Sequence, residues 1–157
     1  MIVIADTSPL NYLILIDLPH ILHELFREVI VPRAVLTEME SPLAPDKVRQ
    51  WLARRPEWMI VNDIRQEDST LVHLDAGERE VITLAQELQA NLILLDERLG
   101  RQEAVQRKFD VTGTLGILDR AGVNGLIDSA AAVAQLSLTN FRISPRFFNI
   151  LLDRYKS

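Results

Sequence analysis

Short apolar runs alternate along this chain with longer stretches whose apolar residues recur at helical spacing. The apolar runs have the length of buried strands and are rich in β-branched residues, which favour strands. Strands are therefore predicted at residues 2–5, 29–31, 59–61, 92–95 and 110–112. This alternation of strands and helices predicts an α/β fold with a mostly parallel central sheet.

The helical stretches begin at residues typical of helix starts. Ser8 is predicted as an N-cap with Pro9 at the first helical position, and Pro32 is predicted to open a helix that runs to about Met39. Further helices are predicted at 19–26, 46–54, 75–89, 98–108, 114–122, 130–138 and 145–155. Because no long linker or internal repeat divides the chain, residues 1–157 are predicted to form a single domain.

Composition narrows the possible functions. There are 17 Lys and Arg against 22 Asp and Glu, a formal net charge of −5, which argues against a broad basic surface for nucleic acid. A nuclease is not excluded, because a carboxylate cluster that holds a metal ion counts as negative until the metal binds. The absence of Cys excludes disulfides, thiolate metal sites and Cys nucleophiles.

No apolar run approaches the roughly 20 residues that a membrane helix needs, so no membrane association is expected. The start of the chain also lacks the basic leader of a signal peptide. We therefore expect a cytoplasmic protein.

Acidic residues fall where a parallel sheet would gather them. The carboxyl ends of parallel strands meet at one edge, which is where α/β proteins bind ligands. Two predicted strands end directly before acids, and two predicted helices carry acids near that edge. The six residues are Asp6, Glu38, Asp75, Glu78, Asp96 and Glu97. Such a cluster would repel itself, and a hard divalent cation with a preference for oxygen ligands would relieve the repulsion.

Each acid also has a structural interpretation that needs no metal. Asp6 is consistent with a turn or cap, Asp96 with an N-cap of the next helix, and Glu38 with a solvated helix residue. Asp75-Ala-Gly-Glu78 has the spacing of a capping box, which accounts for both acids. Gly77 costs up to about 1 kcal/mol in a first helical turn. The cap does not need that glycine, so a close approach of another group to the backbone is an alternative.

Five motifs together resemble the PIN domain family, and within it the Gly-Glu branch of the VapC-like toxin ribonucleases. The resemblance covers residues 1 to about 125. In order, the motifs are Asp6-Thr7-Ser8-Pro9-Leu10, Val31-Pro32-Arg33-Ala34-Val35 leading to Glu38, Leu74 to Ile82, Leu94-Leu95-Asp96-Glu97, and Val111 to Leu118.

This resemblance implies a three-layer α/β/α fold and a divalent-metal-dependent endoribonuclease that uses Mg²⁺ or Mn²⁺ to hydrolyse RNA phosphodiester bonds. It also implies the toxin of a toxin–antitoxin pair, with a cognate antitoxin protein as partner and a homodimer as the assembly. The C-terminal helices at 129–157 would complete the domain or form an interface. The alternative function is a catalytically inert PIN-like module that binds protein.

The resemblance also implies roles for individual residues. The catalytic metal ligands would be Asp6, Glu38, Glu78 and Asp96. Most of the family has Thr-x-Asp after the fourth strand, whereas this chain has Asp96-Glu97, so Glu97 is a further candidate ligand, as is Asp75 in place of Glu78. At such a site the hydroxyls of Thr7, Ser8 and Thr114 would orient carboxylates or water; the alternative is that they only cap helices. Arg98 and Arg101 would contact RNA phosphates there; the alternative is a solvated charged helix face.

Overall fold

The computed structural model describes residues 1–141, and these form five β-strands and eight α-helices. The strands are β1 (Val3–Ala5), β2 (Val29–Pro32), β3 (Met59–Asn62), β4 (Leu92–Leu94) and β5 (Val111–Thr112). The helices are α1 (Thr7–Leu15), α2 (His20–Phe26), α3 (Arg33–Glu40), α4 (Asp46–Leu52), α5 (Ala76–Leu88), α6 (Arg98–Gln106), α7 (Thr114–Val123) and α8 (Ser129–Ser137).

The five strands form one parallel sheet in the order β3-β2-β1-β4-β5. The chain runs outward from β1 through β2 to β3 and then returns to place β4 on the other side of β1. The strand order therefore reverses between β1 and β4, which makes this the switch point where α/β sheets bind ligands. The predicted three-layer α/β/α fold with a mostly parallel sheet is confirmed.

Burial explains why the strands could be recognised as continuous apolar runs. All three residues of β1 and all three of β4 are buried, as expected for central strands covered by helices on both faces. The β2 and β3 strands pair over four residues, from Val29 with Met59 to Pro32 with Asn62.

The prediction for the start of α1 is wrong by two residues. Thr7 is the first helical residue and Asp6 stands at the N-cap position, so Ser8 is not the N-cap. Asp6 N–H donates to Leu94 O at 2.9 Å and extends the β1–β4 ladder, and the chain turns into the helix directly afterwards. Pro9 is tolerated as the third residue because its missing N–H would have no partner in a first helical turn.

Two other helix starts show different outcomes. Pro32 is the last residue of β2 rather than the first of a helix, and α3 begins at Arg33. Asp75 is the N-cap of α5, and its Oδ1 accepts from the N–H of Glu78 at 2.8 Å, as the capping-box spacing predicts. The structure adds a short 3₁₀ turn, Ser69–Leu71, which the apolar pattern did not predict.

The helix predicted at 130–138 is present as α8, which packs against α7 and buries Val133 and Leu136. Ser129 Oγ donates to Leu118 O at 3.1 Å and fixes the start of α8 on α7. The second predicted C-terminal helix, at 145–155, lies outside the described residues. Within residues 1–141, no helix has the length and apolar character needed to cross a bilayer.

Candidate active site

Two of the candidate acids flank the switch point of the sheet. Asp6 directly follows β1, and Asp96 comes two residues after the end of β4. The Asp6 side chain makes no capping hydrogen bond to α1, and the residue is only 5% exposed. Asp6 therefore stands at the N-cap position of α1 without using its side chain as a cap.

Glu38 reaches the same region from α3. The residue is exposed, as the solvated-helix interpretation expects, but its Oε2 accepts a hydrogen bond from Thr7 Oγ1 at 2.9 Å. A Cβ added to Gly77 would lie 3.2 Å from Asp6 Oδ1 and 3.3 Å from Glu38 Oε2. Both carboxylates therefore approach the glycine backbone from its open side, in agreement with the close approach considered from the sequence.

Glu78 and Asp75 occupy different positions at the start of α5. Asp75 is exposed and caps the helix, whereas Glu78 is 6% exposed. A Cβ added to Gly100 of α6 would lie 2.6 Å from Glu78 Oε2. Glu78 is thus the acid whose carboxylate is enclosed between α5 and α6, and Asp75 is the one at the surface.

Asp96 is held by the start of α7 rather than by the helix that follows it in sequence. Its Oδ1 accepts from Thr114 N–H and its Oδ2 from Thr114 Oγ1, both at 2.7 Å. The N-cap position of α6 is occupied by Glu97, without a capping hydrogen bond from its side chain. Gly113 makes this close contact possible because it has no side chain: a Cβ there would come within 2.6 Å of Asp96 Oδ1.

The environment of these acids disfavours negative charge. The pKa of Asp6 is raised to about 7, mainly by burial; the backbone N–H of Thr7 opposes this shift, and the negative charges of Asp75, Glu38 and Asp96 add to it. Burial also raises the pKa of Glu78 to about 8, with contributions from Asp75, Asp6 and Glu97. Burial raises the pKa of Asp96, although its bonds to Thr114 and the charge of Arg101 oppose the shift.

The donor set fits a hard divalent cation chemically. Carboxylates from the end of β1, from α3, from α5 and from the β4–α6 connection influence one another electrostatically, and all four lie against glycines that leave room for oxygen atoms. Among residues 1–141, however, no three acidic or histidine side chains converge closely enough in this conformation to hold one ion.

The hydroxyls and arginines predicted to assist lie around this edge. Thr7 donates to Glu38 and Thr114 to Asp96. Ser8 makes no hydrogen bond to an acid of residues 1–141 and lines a cavity of about 640 Å³ with Arg101. Arg98 lines a second, more open cavity, of about 750 Å³, together with Arg101 and Asp96.

Three residues of the first cavity were not singled out from the sequence: Tyr12, Asn140 and Phe141. Tyr12 lies one helical turn after Ser8, so the helix that follows Asp6 offered a signal for its position. Asn140 and Phe141 gave no comparable signal, because only the folded chain brings them to Tyr12.

A sequence model of a family described as a PIN domain matches residues 2–157. A search of curated proteins finds no significant match.

Proposed function

Since the chain belongs to the PIN domain family, whose members are generally nucleases that use divalent metal ions, we propose that it is a Mg²⁺- or Mn²⁺-dependent endoribonuclease. The proposed ligands are Asp6, Glu38, Glu78 and Asp96. The observation that carries the proposal is the approach of Asp6 and Glu38 to the bare backbone of Gly77, beside the switch point of the sheet.

Electrostatics account for the spread of the carboxylates. Uncompensated acids at close range repel one another, and burial makes this more costly. Glu38 and Glu78 have long side chains that can turn towards a shared cation, whereas Asp96 is already held in place by Thr114. Glu97 and Asp75 are the secondary candidates, and Asp75 already uses one carboxylate oxygen to cap α5.

A bound divalent ion would supply positive charge to the scissile phosphate and activate a water molecule for in-line attack. The chain's own residues prepare the site for it. Thr7 occupies one oxygen of Glu38, and Thr114 takes one lone pair from each oxygen of Asp96, so lone pairs remain on both carboxylates. Loading requires Asp6 and Glu78 to lose their protons, so metal affinity should increase with pH.

The decisive experiment is cleavage of a mixed pool of RNA by the purified protein, with Mn²⁺ or with chelator. We expect cleavage only with Mn²⁺, and none by Asp6→Asn, which keeps the shape of the side chain but removes the charge. Full activity of folded Asp6→Asn would overturn the assignment of this site.

The narrower proposal is that the protein is a cytoplasmic toxin of the VapC-like Gly-Glu type, with a cognate antitoxin and a homodimeric assembly. The order of the five motifs supports it. Induced expression in a bacterial host should arrest growth, and expression of Asp6→Asn should not. Normal growth of cells that express the parent protein, at the same level as Asp6→Asn, would contradict the toxin role. Sedimentation of the purified protein as a monomer would contradict the dimer.

A second candidate function is an inert PIN-like module that binds protein. The absence of three converging ligands among residues 1–141 favours it. Calorimetry with Mn²⁺ separates the two candidates, because the inert module should show no saturable heat of binding, whereas the nuclease should show heat that is lost in Asp6→Asn.

A further inference from the structure

The cavity of about 640 Å³ beside Asp96 is separate from most of the acid cluster. Asp96 and Glu97 form part of its wall, but Asp6, Glu38 and Glu78 do not. Its volume lies within the range of small-molecule binding sites. A group bound in this cavity would therefore lie next to the proposed metal ligands without occupying their place.

One wall of the cavity is aromatic and fixed in position. The rings of Tyr12 and Phe141 meet edge to face, with their centroids 4.8 Å apart. Tyr12 Oη donates to Asn140 Oδ1 at 2.9 Å, which ties α1 to the segment after α8. Both aromatic side chains are only partly buried, so they offer a rigid apolar surface to a ligand. Unpaired nucleobases bind to such surfaces by stacking.

The rest of the lining carries hydrogen-bonding groups that have no partner in the described part of the chain. Asn140 uses its carbonyl for Tyr12, while its Nδ2 donors make no bond within residues 1–141. The carboxylate of Glu97 and the guanidinium of Arg101 likewise make no side-chain hydrogen bond there, although the charge of Arg101 acts on Asp96. An amide donor and a carboxylate acceptor match the edge of a base, and a guanidinium matches a phosphate.

We propose that this cavity, the Tyr12 pocket, binds one unpaired nucleobase of the RNA adjacent to the scissile phosphate, with Arg101 contacting the neighbouring phosphate. The proposal rests on the proposed nuclease function and adds to it a binding site for one base beside the scissile phosphate. A base inside an intact duplex is stacked on both faces and paired along one edge, so it cannot enter such a pocket.

The test is binding of a short labelled oligoribonucleotide, measured by fluorescence anisotropy in chelator so that no cleavage occurs. The single strand is compared with its duplex and with the same strand carrying an abasic position. Tyr12→Leu should weaken binding of the intact single strand roughly 5- to 150-fold, the effect of losing one stacking ring. Tyr12→Phe keeps the ring and should change binding far less.

Asn140→Ala provides a second variant at an exposed position, where misfolding is not a concern. Asn140→Ala should weaken binding of the intact single strand. It should leave unchanged the binding of the strand whose abasic position falls in the Tyr12 pocket. Leu43→Ala, at a side chain that is 95% exposed on the α3–α4 connection, is the matched control and should bind like the parent protein. The pocket is overturned if duplex and single strand bind equally, if no RNA binds, or if Asn140→Ala and folded Tyr12→Leu bind like the parent.

The outcome is distinguishable from failure of the proposed function. Selective, Tyr12-dependent binding without any Mn²⁺-dependent cleavage would support the pocket and contradict the nuclease. Cleavage and binding that are both insensitive to Tyr12→Leu and Asn140→Ala would contradict the pocket and leave the nuclease standing.

Discussion

At the scale of single residues, the site depends on three glycines that leave room for carboxylate oxygens. Gly77, Gly100 and Gly113 each lie against a candidate acid, and a Cβ on any of them would contact a carboxylate oxygen at 3.3 Å or less. None of the three has the positive φ that by itself favours glycine, since Gly125 is the glycine with that backbone. Their contribution is therefore space for carboxylate oxygens.

Gly77→Ala tests this contribution because stability and metal binding should change in opposite directions. Alanine in the first turn of α5 should leave the free energy of unfolding unchanged or raise it by up to about 1 kcal/mol. The new Cβ should displace the carboxylates of Asp6 and Glu38 by a few tenths of an ångström and weaken Mn²⁺ binding several-fold. Urea unfolding and calorimetry measure the two effects. Gly77→Ser should weaken binding further, and parent-like Mn²⁺ affinity in both variants would contradict the role of Gly77.

At the scale of elements, α3 is positioned by a residue of α5. The N-cap of α3 is Pro32, which has no side chain for capping, and Glu80 Oε1 accepts from the N–H of Ala34 at 3.0 Å instead. A carboxylate at a helix N-terminus also interacts favourably with the helix dipole. Because α3 carries Glu38, this contact connects the stability of the helix to the site.

Glu80→Ala should lower the free energy of unfolding by roughly 0.5–2 kcal/mol, the usual loss for a removed N-cap. Glu80→Gln keeps an acceptor oxygen and should lose only part of that amount. Chemical denaturation measures the change, and hydrogen exchange at the first turn of α3 should accelerate in Glu80→Ala. An unchanged exchange rate there would show that Glu80 does not hold the helix.

The elements that could be predicted from sequence are those fixed by local pattern. The strands are buried on both faces and are therefore continuous apolar runs, and the Asp75 cap follows a local spacing rule. The starts of α1 and α3 were misplaced by one or two residues. The start of α1 depends on a tertiary bond from Asp6 N–H to Leu94 O, which no local pattern encodes.

At the scale of the whole molecule, the same limit applies to the site. Strand-end acids were predictable, because a parallel sheet gathers them at one edge. That Thr114 rather than α6 holds Asp96, and that Tyr12 bonds to Asn140 from the other end of the described chain, depends on how distant segments pack. For the same reason, the close approach of Gly100 to Glu78 could not be predicted from the sequence.

The raised pKa values predict how the stability of the metal-free protein changes with pH. Asp6 and Glu78 titrate near 4 in an unfolded chain, but burial raises their pKa to about 7 and about 8 in the fold. Between these values the folded state binds more protons, so the contribution of both groups to the free energy of unfolding falls as pH rises from about 4 to 8.

Asp6→Asn isolates one of these groups. In chelator at pH 8, the variant should be more stable than the parent by on the order of 2–4 kcal/mol, and the difference should vanish near pH 4. Urea unfolding across this pH range measures it. Parallel pH profiles for the two proteins would contradict the buried, uncompensated state of Asp6.

The most direct test of the account is a crystal structure of the protein with Mn²⁺, using the anomalous signal to locate the ion. The account predicts a peak between β1 and β4, bound by oxygens of Asp6 and Asp96, with Glu38 or Glu78 turned towards it. The peak should be lost in Asp6→Asn. A fully occupied Mn²⁺ peak elsewhere, or none at a concentration that supports RNA cleavage, would contradict it.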